Sequence, residues 1–354
     1  MGQGWRDIPP PAARASHLAR FGVDVLVNLQ TGSLAKPENA RRFSSVRNVR
    51  LEFVRSLLIF LSRRKLLRKW METSSLAKRL SARFIAGSNL DRAMAVCKEL
   101  NSEGITVTMD VLGESISSVE EAAAARDAYL RTLSAIHDRG IQGNVSLKLT
   151  QFGLDLSADV CRANVAQLVE KAAALNEFVR VDMESSEYTD RTLDLVCDLH
   201  AKYRTVGTVI QAYLYRSKGD IERLNECGIR VRLCKGAYLE PAAVAFPKKA
   251  QVDANYIALM QLLLDKGAYP AIATHDEKMI AATKAHVEAR QIPRDAFEFQ
   301  MLYGIRRDLQ RQLAKEGFRV RVYVPYGEAW YPYYMRRLAE RPANVLFILR
   351  NMFR

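Results

Sequence analysis

The sequence predicts an α/β fold, a (β/α)8 barrel, on three observations. Short β-branched runs alternate with helical stretches eight times across about 250 residues, the count and length of such a barrel. Each run ends in polar or aromatic residues. No Gly-rich dinucleotide fingerprint and no phosphate loop follows the first run, as a doubly wound open sheet would more often show.

The elements follow in order. Residues 1–12 are rich in Pro and Gly and read as a mobile terminus. Residues 13–85 read as a basic helical arm. HLARFGVDVLVNL spaces its apolar residues mostly at three and four, and RLEFVRSLLIFLSRRKLLRKWM is a second amphipathic candidate. SSLAKRLSARFI opens on serines suited to an N-cap. Residues 86–354 read as the barrel. NLDRAMAVCKELNSEG is a helix stopped by Gly104, and ITVTMDVLG is the first strand. An Ala-rich helix leads to NVSLKLT, and a helix from Ala158 to about Leu175 leads to EFVRVDME. The alternation continues through TVIQAYL, IRVRLCKG, YPAIATH, FEFQMLY and RVRVYVP, each followed by a helix.

Composition bounds the class. With 354 residues, 49% of them hydrophobic and 26% charged, a full core is available and wholesale disorder is excluded. The 5 cysteines are odd in number and form no CxxC pair, which fits free thiols in a reducing compartment and gives no zinc-site spacing. The apolar run LLIFL falls far short of the ~20 residues that span a bilayer. MGQGWRDIPPPAARA lacks the apolar segment of a secretory signal, so an intracellular, cytoplasmic protein is expected. The net charge of +14 is uneven: thirteen Lys or Arg stand between Arg41 and Arg83, against Glu52 and Glu72. Such a segment serves as a solvated face, as a dock on anionic lipid or as a nucleic-acid contact. No stacking or reading motif accompanies it, so no nucleic-acid partner is expected.

Barrel active sites sit at the C-terminal ends of the strands. Those ends carry Asp110 and Glu114, Lys148, Asp182 and Glu184, Gln211 and Tyr213, then Arg232, Lys235 and Tyr238. Thr274, His275, Asp276 and Tyr323 complete the set. Singly, a Lys can point to water, an Asp can cap the next helix and a His can be structural. Chance would scatter such residues over both ends, so their convergence marks one functional rim. Arg232, Lys235, His275, Arg336 and Arg337 predict a strongly cationic lining, and Gly236 lets a ligand approach the backbone. Cations beside helix N-termini suit phosphates, so a large phosphorylated cofactor on the barrel mouth is expected, and no metal. The rival chemistry for this rim is a Schiff-base aldolase built on Lys148 or Lys235.

The segments GITVTMDVLGES, VSLKLTQFGLDL, VRVDMESS, VIQAYL, VRLCKGAYLEP, ATHD, FEFQMLYG and VRVYVPYGEAWYPYYMRRLAERPAN, in this order, carry a specific resemblance. From about Asn89 to Asn344 the chain resembles the proline dehydrogenases, by length the bacterial monofunctional type. The resemblance implies a distorted (β/α)8 barrel with extra N-terminal helices, FAD across its C-terminal face and the last helix over the site. It implies oxidation of L-proline to Δ1-pyrroline-5-carboxylate, with electrons passed to a membrane quinone. A separate pyrroline-5-carboxylate dehydrogenase could then take the product.

Residue by residue, the resemblance implies that Arg336 and Arg337 clamp the proline carboxylate, as two planar guanidinium forks can. Lys148 helps to neutralise that carboxylate, and Asp182 and Arg232 are the active-site pair. Tyr238 and Tyr323, with Leu302, wall the proline pocket, and Glu114 closes it by pairing with a clamp arginine. Met183, Gln211, Arg232, Lys235, Gly236, Ala237, Thr274 and His275 fall on FAD-contact positions, and Glu340 orients the arginines or meets the cofactor's sugar chain. Two positions depart from the family pattern: Cys234 replaces an aliphatic residue, and Asp276 stands where asparagine is common. Residues 1–85 match poorly.

Overall fold

The computed structural model describes Met71, Ser74, residues 81–113 and residues 116–340, with the side chains of residues 336–340 left out. Almost all of the predicted basic arm lies outside the described residues, as does Glu114.

Eight strands close into one all-parallel barrel in chain order. They are β1 (Thr106–Val111), β2 (Gly143–Leu147), β3 (Val179–Val181), β4 (Val206–Gln211), β5 (Val231–Cys234), β6 (Ala271–Ala273), β7 (Glu298–Leu302) and β8 (Val320–Tyr326). The barrel closes where β1 pairs with β8, Thr106 opposite Arg321 and Val111 opposite Tyr326. Before β1 lies α1 (Leu90–Ser102). The crossovers hold α2 (Val119–Asp138), α3 (Ala158–Ala174), α4 (Thr189–Tyr203), α5 (Ser217–Glu226), α6 (Lys249–Lys266), α7 (Glu277–Ala289) and α8 (Arg307–Lys315). After β8 comes α9 (Tyr331–Glu340).

Local chemistry starts and stops these helices. Asn89 caps α1 by accepting the Arg92 N–H at 3.0 Å, and Gly104 ends it in the left-handed region at φ 73. Ser118 caps α2, while Glu121 reaches back to the Ser117 N–H at 2.5 Å, so first-turn donors are satisfied from both sides. Asp276 caps α7 through the Lys278 N–H at 3.0 Å.

The strands alternate strictly. Val107, Met109, Val145, Leu147, Phe299 and Val322 are fully buried against the helical layer. Burying each such side chain contributes about 1.5–3 kcal/mol. The interleaved residues point inward, and here the barrel departs from the usual filling of branched aliphatics. Arg321 donates to Glu298 at 2.8 Å, to the Val107 carbonyl at 2.8 Å and to Asn144 at 2.9 Å. Arg180 donates to the carbonyls of Thr208 and Arg230 at 3.0 and 2.9 Å. Burial lowers the Arg180 pKa to about 9, which leaves it charged at neutral pH. Burial alone would raise the Glu298 carboxyl, but Arg321, Gln300 and Arg180 outweigh it and hold the pKa below the usual value.

Tyr331, Tyr333 and Tyr334 are buried, and the Tyr334 ring packs 5.8 Å from Trp330 and 6.2 Å from Phe84. The tyrosines ahead of Arg336 therefore belong to packing, which roots the start of α9 beside the end of β8. No helix among the described residues is long and apolar enough to cross a membrane.

Candidate active site

Five strands deliver one charged cluster to the C-terminal end of the barrel. Asp182 follows β3 directly and sits at its centre. Its Oδ1 accepts from Arg232 Nη1 on β5 at 2.7 Å and from Ser146 Oγ on β2 at 2.5 Å. Its Oδ2 accepts from the Tyr323 hydroxyl on β8 at 2.8 Å and faces Lys148 Nζ at 3.5 Å. Lys148 also lies 3.4 Å from Asp110 Oδ2 on β1 and 3.4 Å from the Tyr323 oxygen. Register explains the convergence: Arg232 pairs across to Val209, Gln300 to Arg321 and Tyr323 to Thr108, all on inward-facing rows.

Burial raises the Asp182 pKa, yet Arg232, Lys148, Ser146 and Tyr323 together bring it below the ordinary carboxylate value. Asp182 is therefore an anion with every lone-pair direction committed. Arg232 is equally constrained, since its Nε donates to Gln300 Oε1 at 2.6 Å and its guanidinium lies 5.3 Å from the Tyr323 ring centroid. Burial pushes the Tyr323 phenol well above its usual pKa, so it stays a neutral donor.

A second group lies on the ends of β4, β5 and β6. Lys235 donates to Asp253 at 2.5 Å and to Asp276 at 2.8 Å. The Leu302 N–H donates to His275 Nε2 at 2.9 Å, so that nitrogen accepts and the ring of this neutral tautomer carries its proton on Nδ1. The Thr274 hydroxyl oxygen accepts from the Asp276 N–H at 3.0 Å, which leaves its proton to donate elsewhere. Gly236 takes φ 119 and lies flat on the Tyr213 ring, where an added Cβ would come within 2.5 Å. The loop between β5 and α6 runs past Ala237 and the 39% exposed Tyr238. Glu240 pins that loop by accepting from the Ser186 N–H and hydroxyl at 2.7 and 2.5 Å.

The described side chains differ from the strongly cationic lining expected. Lys148 and Arg232 are matched by Asp110 and Asp182, Lys235 is matched by two carboxylates, and His275 is neutral. The remaining candidate cations, Arg336 and Arg337, lie on α9 with Glu340, and their side chains are outside the described residues. Lys148, Asp182, Arg232 and Tyr323 come together directly. Lys235, Gly236, Thr274 and His275 form the neighbouring group, with Met183 buried after β3. Gln211 donates to the Glu184 carbonyl at 2.8 Å, and Glu184 itself anchors the Thr150 hydroxyl at 2.7 Å. Tyr238 stands outside the central cluster, on the exposed loop.

Four contributors escaped sequence reading. Ser146 and Gln300 hold Asp182 and Arg232 from behind, Asp253 holds Lys235, and the Tyr129 hydroxyl on α2 lies 2.9 Å from Asp110 Oδ1. For Gln300 a signal existed: Glu298 and Gln300 recur at period two inside an otherwise apolar strand. Tyr129 and Asp253 lie on the helices that follow β1 and β5, nineteen and eighteen residues past their partners, and carry no local mark.

The donor set fits a phosphate-bearing flavin. The Lys235 ammonium, the Thr274 hydroxyl, His275 Nδ1–H and the side-chain-free backbone at Gly236 share the ends of β5 and β6, beside the start of α7. Asp276 and Asp253 are the features that oppose an anion there.

Comparison with known proteins agrees with this geometry. The family profile described as Proline dehydrogenase matches residues 93–350. Proline dehydrogenase 1 of Bacillus subtilis (strain 168) is 42% identical over 302 residues, covering 85% of this chain and 99% of that protein. Proline dehydrogenase of Deinococcus radiodurans is 44% identical over 282 residues, covering 78% of this chain and 90% of that one. The crystal structure of proline utilization A from Bdellovibrio bacteriovorus inactivated by N-propargylglycine superposes with a TM-score of 0.72 at 25% identity. It is a longer chain, of which this protein spans 41% while matching over 91% of itself. The chain belongs to the proline dehydrogenase family of oxidoreductases.

Proposed function

We propose that the protein binds FAD and oxidises L-proline to Δ1-pyrroline-5-carboxylate. The observation that carries this reading is the Lys148–Asp182–Arg232–Tyr323 cluster, with Asp182 and Arg232 buried, at the mouth of a barrel of this family. When bound, FAD would supply the hydride-accepting chemistry, at its N5, that turns the ring's C5–N bond into C=N.

The chain's own residues bind and orient. Lys148 presents a cation 3.4 Å from the Tyr323 hydroxyl and, with Arg336 and Arg337, receives the substrate carboxylate. Fixing that carboxylate holds C5 in a near-attack position. Tyr323 and Leu302 wall the apolar ring face, Tyr238 covers it from the β5–α6 loop, and Glu114 closes the site by pairing with a clamp arginine. Arg232, Met183, Gln211, Lys235, Gly236, Ala237, Thr274, His275 and Glu340 hold the cofactor. Asp182 acts as a positioning residue. Its lowered pKa and its filled coordination make it a poor base, so the substrate ammonium proton passes to solvent.

Electrons then pass to a membrane quinone. The basic arm at residues 13–85 would bring the barrel at 86–354 to an anionic cytoplasmic surface. A separate dehydrogenase would consume the imine product. Flotation with anionic but not with neutral vesicles is the expected result for the arm, and equal flotation with both would remove it from the reading.

The decisive experiment is anaerobic addition of L-proline to the purified protein while its visible spectrum is followed. A yellow protein that bleaches with L-proline, and not with D-proline or hydroxyproline, is expected. Bleaching by hydroxyproline alone would move the substrate to another cyclic amino acid. A colourless protein that FAD cannot reconstitute would overturn the proposal.

A further inference from the structure

Below the rim, the barrel interior carries buried polar groups to which the proposed reaction assigns no role. On β7, Glu298 and Gln300 are two residues apart, so both point inward, and both are buried. The strand register continues their rows sideways. Arg232 on β5 stands beside Ala271 on β6, Ala271 stands beside Glu298, and Ala273 stands beside Gln300 one step nearer the rim. Here β6 presents only methyl groups to the interior, which leaves Arg232 room to reach across it to Gln300.

The hydrogen bonds along this path have a fixed direction. Arg232 Nε donates to Gln300 Oε1 at 2.6 Å, and Gln300 Nε2 donates to Glu298 Oε1 at 2.5 Å. Arg321 Nε donates to the two Glu298 oxygens at 2.8 and 3.0 Å, and the Tyr269 hydroxyl donates to Oε2 at 3.3 Å. Burial favours the neutral acid at Glu298, but Arg321, Gln300 and Arg180 outweigh it, so the carboxylate stays ionised and can only accept. A pure acceptor there admits one orientation of the Gln300 amide, with the NH2 toward Glu298 and the carbonyl toward Arg232. The reverse orientation sets Gln300 Nε2 against the Arg232 Nε–H, donor against donor in a buried place, and leaves both unpaired.

We propose that Glu298 is a positioning residue for the reaction, acting through Gln300 to fix the Arg232 guanidinium at the barrel mouth. The inference rests on the flavin reading above, in which Arg232 helps to hold the cofactor. With Nε held by Gln300 and Nη1 held by Asp182, two strands set the guanidinium plane at once. Nη2 keeps only a 3.4 Å contact to Ser146 and retains a hydrogen for a ligand. Turning the Gln300 amide releases one of the two holds. Misplacing a binding group by about 1 Å can lower a rate by about a hundredfold, so a residue in the middle of the barrel reaches the chemistry without touching a ligand.

The test has two readouts on the full chain as purified. The first is hydrogen exchange at the Arg232 Nε–H, followed by NMR with isotope-labelled arginine and assigned by loss of the signal in Arg232→Lys. In Glu298→Gln the new amide can offer its own NH2 to Gln300 and let that amide turn, so exchange should quicken by about tenfold or more. Glu298→Gln/Arg321→Met removes the buried cation together with its counter-ion, which protects the fold, and should show the same acceleration. Slow exchange in Glu298→Gln, or slow exchange restored in the double variant, would mean that Glu298 only neutralises Arg321 and would overturn the proposal.

The second readout is anaerobic reduction of bound FAD by L-proline. It should slow by about tenfold to a hundredfold in Glu298→Gln/Arg321→Met, and Gln300→Met should reproduce that loss. Adding Glu298→Gln to Gln300→Met should slow reduction no further while still lowering the unfolding temperature, because only the first effect runs through Gln300. A further loss of rate in that combination would overturn the proposal. A wild type that L-proline does not reduce would remove the flavin reading instead, and the exchange measurement would still decide whether Glu298 positions Arg232.

Discussion

Asp182 and Arg232 meet at 2.7 Å across the inside of the barrel, and each is held on its far side by a second strand. Tyr323 on β8 occupies the other Asp182 oxygen at 2.8 Å, and Gln300 on β7 occupies Arg232 Nε at 2.6 Å. The pair is a structural keystone at the centre of the candidate site, and it sets the first prediction. Asp182→Asn leaves a buried guanidinium without its counter-ion and should cost about 3–5 kcal/mol in urea unfolding. Adding Arg232→Met should recover part of that loss, and a double variant no better than the single would sever the coupling. The pH dependence has a definite sign. Because the folded pKa of Asp182 is lowered, its stabilisation is complete above the unfolded value of about 3.9 and fades as pH falls through the folded one. The gap between wild type and Asp182→Asn should therefore narrow below about pH 4.

Arg336 lies on α9, two residues past the buried Tyr334. If its fork holds the substrate carboxylate, Arg336→Met removes a charge-assisted hydrogen bond worth about 1.5–3 kcal/mol. The proline KM should rise about tenfold to a hundredfold, with FAD still bound. An unchanged KM would place Arg336 outside the pocket.

Gly236 is predicted to resist any side chain. At φ 119, with a Cβ position 2.5 Å from the Tyr213 ring, Gly236→Ala combines backbone strain with a clash against a buried aromatic. Strain alone costs about 1–3 kcal/mol, and displacement of Tyr213 would add to it. Gly104→Ala is the control, since its φ is 73 but nothing lies within 4 Å of the added carbon. Thermal unfolding should show the larger loss at Gly236, accompanied by weaker retention of flavin. Equal losses would mean that the loop relaxes around the new carbon.

Asp276 performs two tasks, capping α7 and sharing Lys235 with Asp253. The Lys235 hydrogen bond is the largest influence in lowering its carboxyl pKa. Asn caps a helix as well as Asp does, so Asp276→Asn should leave stability within about 0.5 kcal/mol of wild type. It should also remove one anion beside Lys235. A partly exposed pair of this kind is worth about 0.2–1 kcal/mol, so FAD should bind the apoprotein up to about fivefold more tightly. Fluorescence titration at low and high salt reads both the gain and its screening. Weaker binding in the variant would show that Asp276 supports the cofactor.

Much of this was legible from sequence because barrel strands announce themselves locally. ITVTMDVLG and RVRVYVP alternate branched and polar residues; β1 falls within the first run, and β8 ends one residue past the second. Lys148, Asp182 and Tyr323 could be assigned to one rim because a parallel barrel sends every strand end to the same face. The balance of charge was not legible. Counting Arg232, Lys235 and His275 as cations predicts a positive mouth, but Asp253 lies eighteen residues beyond Lys235 and meets it only because α6 folds back against the end of β5. The His275 tautomer likewise depends on a backbone N–H from β7, which no local pattern reveals.

The sequence by itself determined the periodicities, the caps and the side on which each polar residue would emerge, because those follow from bonds between near neighbours. Tertiary structure alone decided which charges neutralise which and why Gln300 and Ser146 matter. Those outcomes depend on register between strands and helices far apart in the chain. There, distances of a few ångströms in a low-dielectric interior set the protonation states.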